Sequence, residues 1–220
     1  MIDILGLGWS NDQSYGQGSS EKPVDYAGRV PIGRLGLEDN LFREPIKNFG
    51  RFEPVTQRLC IVTALALRDA GLMSGEEQLD IGILVVNKAG CIASNKRFFH
   101  DYIDGGRSLS RANLFIYTLP TGPCAEAAIC FNLKGPLLYI DELDDFLNYG
   151  IHIVENLLRA NQAKAVMINL IEEPNQAAIL IGNSTVEKKR LSLSFIPKDI
   201  VKPVQLITEK LNKIGQHYEG

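Results

Sequence analysis

Apolar positions along the chain fall into short blocks with two different periods. Ile2 to Leu7 is a compact apolar run ending in glycines, which predicts a buried strand. From Val55 to Leu72 the apolar residues recur at helical spacing, through Leu59, Val62, Leu65, Leu67 and Leu72, and Gly71 supplies a helix stop. Ile81 to Val86 is β-branched and compact, the mark of a strand. Asn95 to Ile103, aromatic and basic, predicts a helix, and Leu114 to Leu119 reads as a short extended piece. Glu126 to Leu133 predicts a helix that stops at Gly135-Pro136, and Leu137 to Ile140 a further strand. Leu143 to Ala160 carries a helical pattern through Phe146, Ile151, Val154, Leu157 and Leu158. Ala165 to Ile171 is a fully buried type of strand, Gln176 to Ile181 and Leu191 to Phe195 follow as strands, and Val204 to Ile214 is an amphipathic last helix.

Residues 11–40 break the pattern. They are rich in Gly, Ser, Asp and Pro, hold no sustained period, and read as a long irregular loop. Elsewhere strands alternate with helices, which predicts an α/β chain: a mostly parallel or mixed sheet covered by helices, with the consecutive last strands as an antiparallel hairpin at one side. The 220 residues, 45% hydrophobic, suit a single domain over 1–220 with ample core.

Charge narrows the partners. A formal net charge of −3 gives no electrostatic case for nucleic acid or an anionic membrane surface. No apolar run approaches the roughly 20 residues that cross a bilayer. Met1-Ile2-Asp3-Ile4-Leu5 lacks the basic start of a signal peptide, so a soluble cytoplasmic protein is expected.

Candidate chemistry is sparse. Cys60, Cys91, Cys124 and Cys130 form no CxxC pair and have no histidine cluster nearby, so neither zinc nor a disulfide framework is signalled; they read as packed thiols. Cys124, in Thr121-Gly122-Pro123-Cys124-Ala125-Glu126, stands at a helix start, where a thiol can be activated, but nothing in the sequence supplies its base. Gly6-Leu7-Gly8 follows a strand and invites a dinucleotide reading, yet position 11 is Asn11 and a loop follows, so no cofactor is expected. The three histidines, His100, His152 and His217, stand beside no nucleophile. Asp141-Glu142-Leu143-Asp144-Asp145 is an acidic cluster at a strand-to-helix junction; it reads first as helix capping, with a metal or acid/base role as the other reading, and no metal is expected.

Several segments, in order, resemble the N-terminal half of a β-ketoacyl synthase of the thiolase-fold superfamily. Ile4-Leu5-Gly6-Leu7-Gly8-Trp9 is similar to that family's first strand and Gly-x-Gly turn, and Ala64 to Leu72 to its helix ending in an "AL.DAGL" phrase. Asp80 to Gly90 resembles the strand leading to its "GT..G" turn, Phe131 to Pro136 the "fGLkGP" before the catalytic strand, and Ala163 to Leu170 the later "ad.alvgg" strand. The resemblance runs over most of residues 2–183 and implies a thiolase-like half with a mixed five-stranded sheet covered by helices.

The departures from that family set the functional expectation. Active synthases follow the Gly-Pro with a strand and then a nucleophilic cysteine in an elbow at a helix N-terminus. Counted without gaps from Gly135-Pro136, that position falls on Asp144, and an aspartate cannot form the acyl thioester. The family's histidines lie in a C-terminal half that these 220 residues do not include. The resemblance thus implies no catalytic residues and no condensing activity for the chain alone, and a role like that of a chain-length factor. Such a subunit of type II polyketide or fatty-acid synthesis forms a heterodimer with a full-length ketosynthase and can help dock an acyl carrier protein. Leu137 to Ile140, with Leu138 and Ile140, would pair with the partner's strand, and Phe115, Tyr117, Thr118 and Leu119 would form the interface or acyl-tunnel set, Thr118 being the counterpart of the crossing residue. An independent acyl-thioester hydrolase or decarboxylase using Asp144, and a homodimeric acyl-binding protein, are the alternatives.

Overall fold

The computed structural model describes residues 2–19, 22–26, 41–73, 78–107, 111–183 and 196–216. Seven strands form one sheet: β1 (Ile2–Ser10), β2 (Ser14–Gln17), β3 (Val24–Asp25), β4 (Ile81–Val86), β5 (Leu137–Ile140), β6 (Ala165–Glu172) and β7 (Asn175–Asn183), in the spatial order β3-β2-β1-β7-β6-β4-β5. The pairs β4/β5 and β4/β6 are parallel; β6/β7, β1/β7, β1/β2 and β2/β3 are antiparallel. The expected five-stranded mixed sheet is there as β1-β7-β6-β4-β5, and two short strands extend it. Those two come from the segment read as a loop: only residues 27–40 of it, with 20 and 21, lie outside the described residues. Composition concealed them, because Asn11 caps the β1–β2 turn through its side chain, accepting from the amides of Gln13 and Ser14 at 2.8 Å, and such turn-rich stretches carry no period.

Strict alternation along the sheet divides the apolar side chains into two cores. Ile81, Ile83 and Val85 of β4, Met167 of β6 and Leu180 of β7 face one way, towards α1 (Pro54–Asp69). Leu84 and Val86, Val166 and Ile168, and Ile179 and Ile181 face the other way, towards the last helices. The central turns of α1 are apolar all round, as a helix enclosed on every side must be. Residues 41–53 cover its outer side, with Leu41, Phe42 and Phe49 buried there.

Gly6 and Gly8 lie inside β1, not in a turn. A Cβ on Gly6 would stand 2.3 Å from the Ala66 carbonyl oxygen, and one on Gly8 2.2 Å from that of Val62, so the pair exists to let α1 lie directly on the strand. Asp69, at the end of α1, accepts the Leu7 amide at 2.9 Å and the Ser19 amide at 3.2 Å. Gly71 then ends the helix at φ +73°, its amide reaching the Arg68 carbonyl and that of Leu72 the Leu67 carbonyl, the stop its sequence signalled.

The segment between β4 and β5 holds α2 (Ile92–Asp104), α3 (Ala112–Phe115), a single 3₁₀ turn Ile116–Thr118 and α4 (Gly122–Cys130). Leu114 to Thr118 is therefore helical, and of the piece expected to be extended only Leu119 is so. The Thr118 hydroxyl donates to the Phe115 carbonyl at 2.7 Å and closes the turn locally. After β5 come α5 (Leu143–Asp145), a π-helical turn Phe146–Gly150 and α6 (Ile151–Arg159), together the expected helix with one extra residue wound in. The last helix, α7 (Lys198–Gln216), begins earlier than expected, with Pro203 inside it. The strand expected at Leu191 to Phe195 lies outside the described residues.

Candidate functional site: an acidic cavity and an open sheet edge

Parallel strands β4, β5 and β6 end side by side, and a cavity of about 570 Å³ opens at their carboxyl ends. This is where open α/β sheets place ligands, because the strands stop and the helices that follow diverge. Val86, Leu143, Leu170, Ile171 and Pro203 give it apolar walls, and Lys88, Asp141, Glu142, Asp144, Glu172 and Glu173 its polar rim. Asp144 is exposed in the first turn after β5, one residue beyond Leu143.

The acidic cluster does not cap the helix with its side chains: Glu142 occupies the capping position without a side-chain hydrogen bond. Glu142 instead meets Lys88 at 3.0 Å, and this contact raises the lysine's pKa. Five carboxylates against one lysine make the rim unfavourable for an anionic ligand. Neither described histidine serves Asp144. His152 is 3.5 Å from Glu155 on α6, and His100 sits against Phe99 on α2. The Asp144–histidine pair that an independent hydrolase or decarboxylase requires is thus not formed among the described residues. Nor do they hold a group of three or more candidate metal ligands, or a helix long and apolar enough to cross a membrane.

The second feature is the edge of the sheet. β5 pairs only with β4 among the described residues. The Ile83 amide donates to the Pro136 carbonyl at 2.7 Å and the Asn87 amide to that of Ile140 at 3.1 Å. Backbone groups alternate sides along a strand, so those of Leu137 and Tyr139 point away from β4, towards the open edge. All four side chains of β5 are half-buried, whereas every residue of β4 is buried. Leu138 and Ile140 pack on the α5–α6 face; Leu137 and Tyr139 pack on the α1–α4 face, with the Tyr139 hydroxyl donating to the Asn87 carbonyl.

Large apolar side chains are exposed on both faces of the sheet. On the α4 side Phe115 is 55% exposed, Leu119 52% and Ile129 75%; on the α6 side Tyr149, next to the Gly150 that meets Ile140, is 69% exposed. Thr118 is half-buried, its hydroxyl spent on Phe115 and its carbonyl accepting the Cys91 thiol at 2.8 Å. Tyr117, of the expected interface or tunnel set, differs from Phe115 and Leu119 in exposure. It is buried inside its own chain, where desolvation pushes its hydroxyl up to about 12 and the Glu53 amide donates to it. Glu53 in turn holds α2, through Ser94 at 2.6 Å and Arg97 at 3.1 Å, so the segment carrying Phe115 and Leu119 is tied to the start of α1. Cys124 is fully buried beside Asn169, and burial raises its pKa, the opposite of what a nucleophile at a helix start needs.

Neither a family model nor a curated protein matches the sequence. Solved structures do match. One is a chain of the ketosynthase ApeO in complex with its chain length factor ApeC from Xenorhabdus doucetiae, at a TM-score of 0.55 and 11% identity over 83% of this chain and 79% of that one. The ishigamide ketosynthase/chain length factor matches at 0.55 and 12% identity over 86% of this chain and 64% of that one. A β-ketoacyl synthase from Burkholderia phymatum STM815 matches at 0.53 and 10% identity over 83% and 59%. The chain thus spans less than two thirds of the length of the last two. At such identities the likeness is one of architecture, and the described chain has the fold of the thiolase-fold ketosynthases.

Proposed function

We propose that the chain is a ketosynthase-like subunit without condensing activity of its own, and that it pairs through β5 with an active ketosynthase in type II polyketide or fatty-acid chain elongation. In this it would act as a chain-length factor does. The observation that carries the reading is the open, wholly apolar edge strand β5, with Phe115, Leu119, Ile129 and Tyr149 exposed on the faces of the sheet, in a chain with a ketosynthase fold. An exposed strand edge of this kind templates aggregation unless something pairs with it. Two of the matching structures are complexes of a ketosynthase with a chain length factor, and in the Xenorhabdus case the matched chain is nearly as short as this one.

The site fits the same reading. Asp144 takes the place that the family's count assigns to the nucleophile, at the mouth of a cavity whose acidic rim and lack of a neighbouring described histidine suit no acyl-transfer step. The chain would then complete the ketosynthase dimer in the cytoplasm as one domain over residues 1–220, shape the far end of the partner's acyl tunnel through Thr118 and Leu119, and take part in docking an acyl carrier protein.

Co-expression with a full-length type II ketosynthase, followed by size exclusion, tests this reading. A one-to-one complex that condenses acyl and malonyl units, from a chain that condenses none alone, is the expected result. Radiolabelled condensation by the isolated chain, or a chain that elutes alone or as a self-pair beside the ketosynthase, would overturn it.

A further inference from the structure

Helix α2 adds no side chain to either core, and none of its thirteen residues is buried. A helix of that length is marginal in water when no apolar face packs on it. What holds it is polar. The Glu53 carboxylate accepts the Ser94 hydroxyl at 2.6 Å and stands 3.1 Å from the Arg97 guanidinium. Glu53 occupies the capping position of α1, where an acidic side chain ordinarily accepts a first-turn amide. It makes no such bond, although its side chain is only 7% exposed, and is turned to the neighbouring helix instead. From α2 and its capping residue Cys91, two contacts lead on to the turn at Ile116–Thr118. The Cys91 thiol donates to the Thr118 carbonyl at 2.8 Å, and the rings of Phe98 and Phe115 meet edge to face with centroids 5.8 Å apart. The start of α2 also lies beside β5, since a Cβ on Gly90 would stand 3.5 Å from the Tyr139 hydroxyl.

We propose that Glu53 is a positioning residue for association: it holds α2, and through α2 it sets the pose in which Phe115 and Leu119 meet the partner. The inference rests on the function proposed above and moves one step inward, from the residues that would touch the ketosynthase to the one that places them. Phe115 and Leu119 are exposed, so their own chain restrains their side chains little. Ordering a loose segment at the moment of binding costs affinity. Glu53 supplies a fixed point, because it is enclosed at the start of α1, a helix surrounded by core. Ser94 and Arg97 are three residues apart and so lie on one face of α2, and two bonds to that face fix the rotation of the helix as well as its distance. Without the carboxylate, α2 and the turn beyond it sample several poses, of which the partner must select one. Association weakens, while the two cores that α2 never enters keep their stability.

Calorimetric titration of the full chain with a full-length type II ketosynthase, beside hydrogen exchange of the free chain, tests this. In Glu53→Ala the affinity should fall about tenfold and the amides of α2 should exchange about tenfold faster, while those of β6 and β7 exchange as before. Glu53→Gln, whose amide oxygen still accepts from Ser94, should recover part of both losses. Ser94→Ala loosens the same contact from the side of α2, where no residue is buried, and adding it to Glu53→Ala should weaken association no further. Unchanged α2 exchange in Glu53→Ala, faster α2 exchange with unchanged affinity, or faster exchange that spreads to β6 and β7 would each overturn the proposal. An unsubstituted chain that forms no complex overturns the function proposed above together with this role, and is told apart because it needs no substitution to appear.

Discussion

The two edges of the sheet are finished in opposite ways. At one end β3 is two residues long, exposed and carries Asp25, and it is attached through the short β2. Short, charged edge strands are how proteins keep a sheet from pairing with strangers. At the other end β5 offers Leu137, Leu138, Tyr139 and Ile140, with the backbone groups of Leu137 and Tyr139 aimed outward. Among the described residues, edge protection is thus present at β3 and missing at β5.

Substitutions should separate the edges by the kind of effect as well as its size. Leu137→Pro should have the largest effect. It removes an outward amide at the first residue of the strand, where proline is tolerated, so co-purification with the ketosynthase should fall by about a hundredfold while circular dichroism keeps the fold. A lysine at Leu138 is a blunter probe, because Leu138 packs on the α5–α6 face and a charge there strikes the core as well as the interface. On the protected side Asp69→Ala should leave the Leu7 amide unpaired in the core, costing about 1–3 kcal/mol in urea unfolding without weakening the complex. Ile129→Ala should do the reverse: the side chain is 75% exposed, so stability should stay within about 0.5 kcal/mol, and titration calorimetry should show association weaker by about 1 kcal/mol. Val24→Lys at the β3 edge should change neither measurement by more than about 0.5 kcal/mol.

What the sequence disclosed follows from where the physics is local. The limits of β4 and β5 were legible to the residue, because both parallel strands are unbroken apolar runs between turn signals. The open edge was legible too, once the family's order was laid on Leu137 to Ile140. Helix α4 starts at Gly122-Pro123, four residues before its apolar pattern suggested, and the signal was the proline at the first turn. The strands β2 and β3 could not be read, since their pairing depends on β1 and on Asp69 receiving Ser19 from 50 residues away. Nor could the sequence show that Tyr117 is buried in its own chain while Phe115 and Leu119 on either side are exposed.

Hydrogen exchange along β5 puts the central claim to the most direct test. In the isolated chain the outward amides of Leu137 and Tyr139 lack a described partner strand, whereas those facing β4 are bonded. With the ketosynthase bound, the amides of Leu137 and Tyr139 should slow by at least about tenfold, while the amides of β2 and β3 exchange as before. A complex that forms with Leu137 and Tyr139 exchanging at their free rates would contradict the account, because the partner would then be held somewhere other than the open edge.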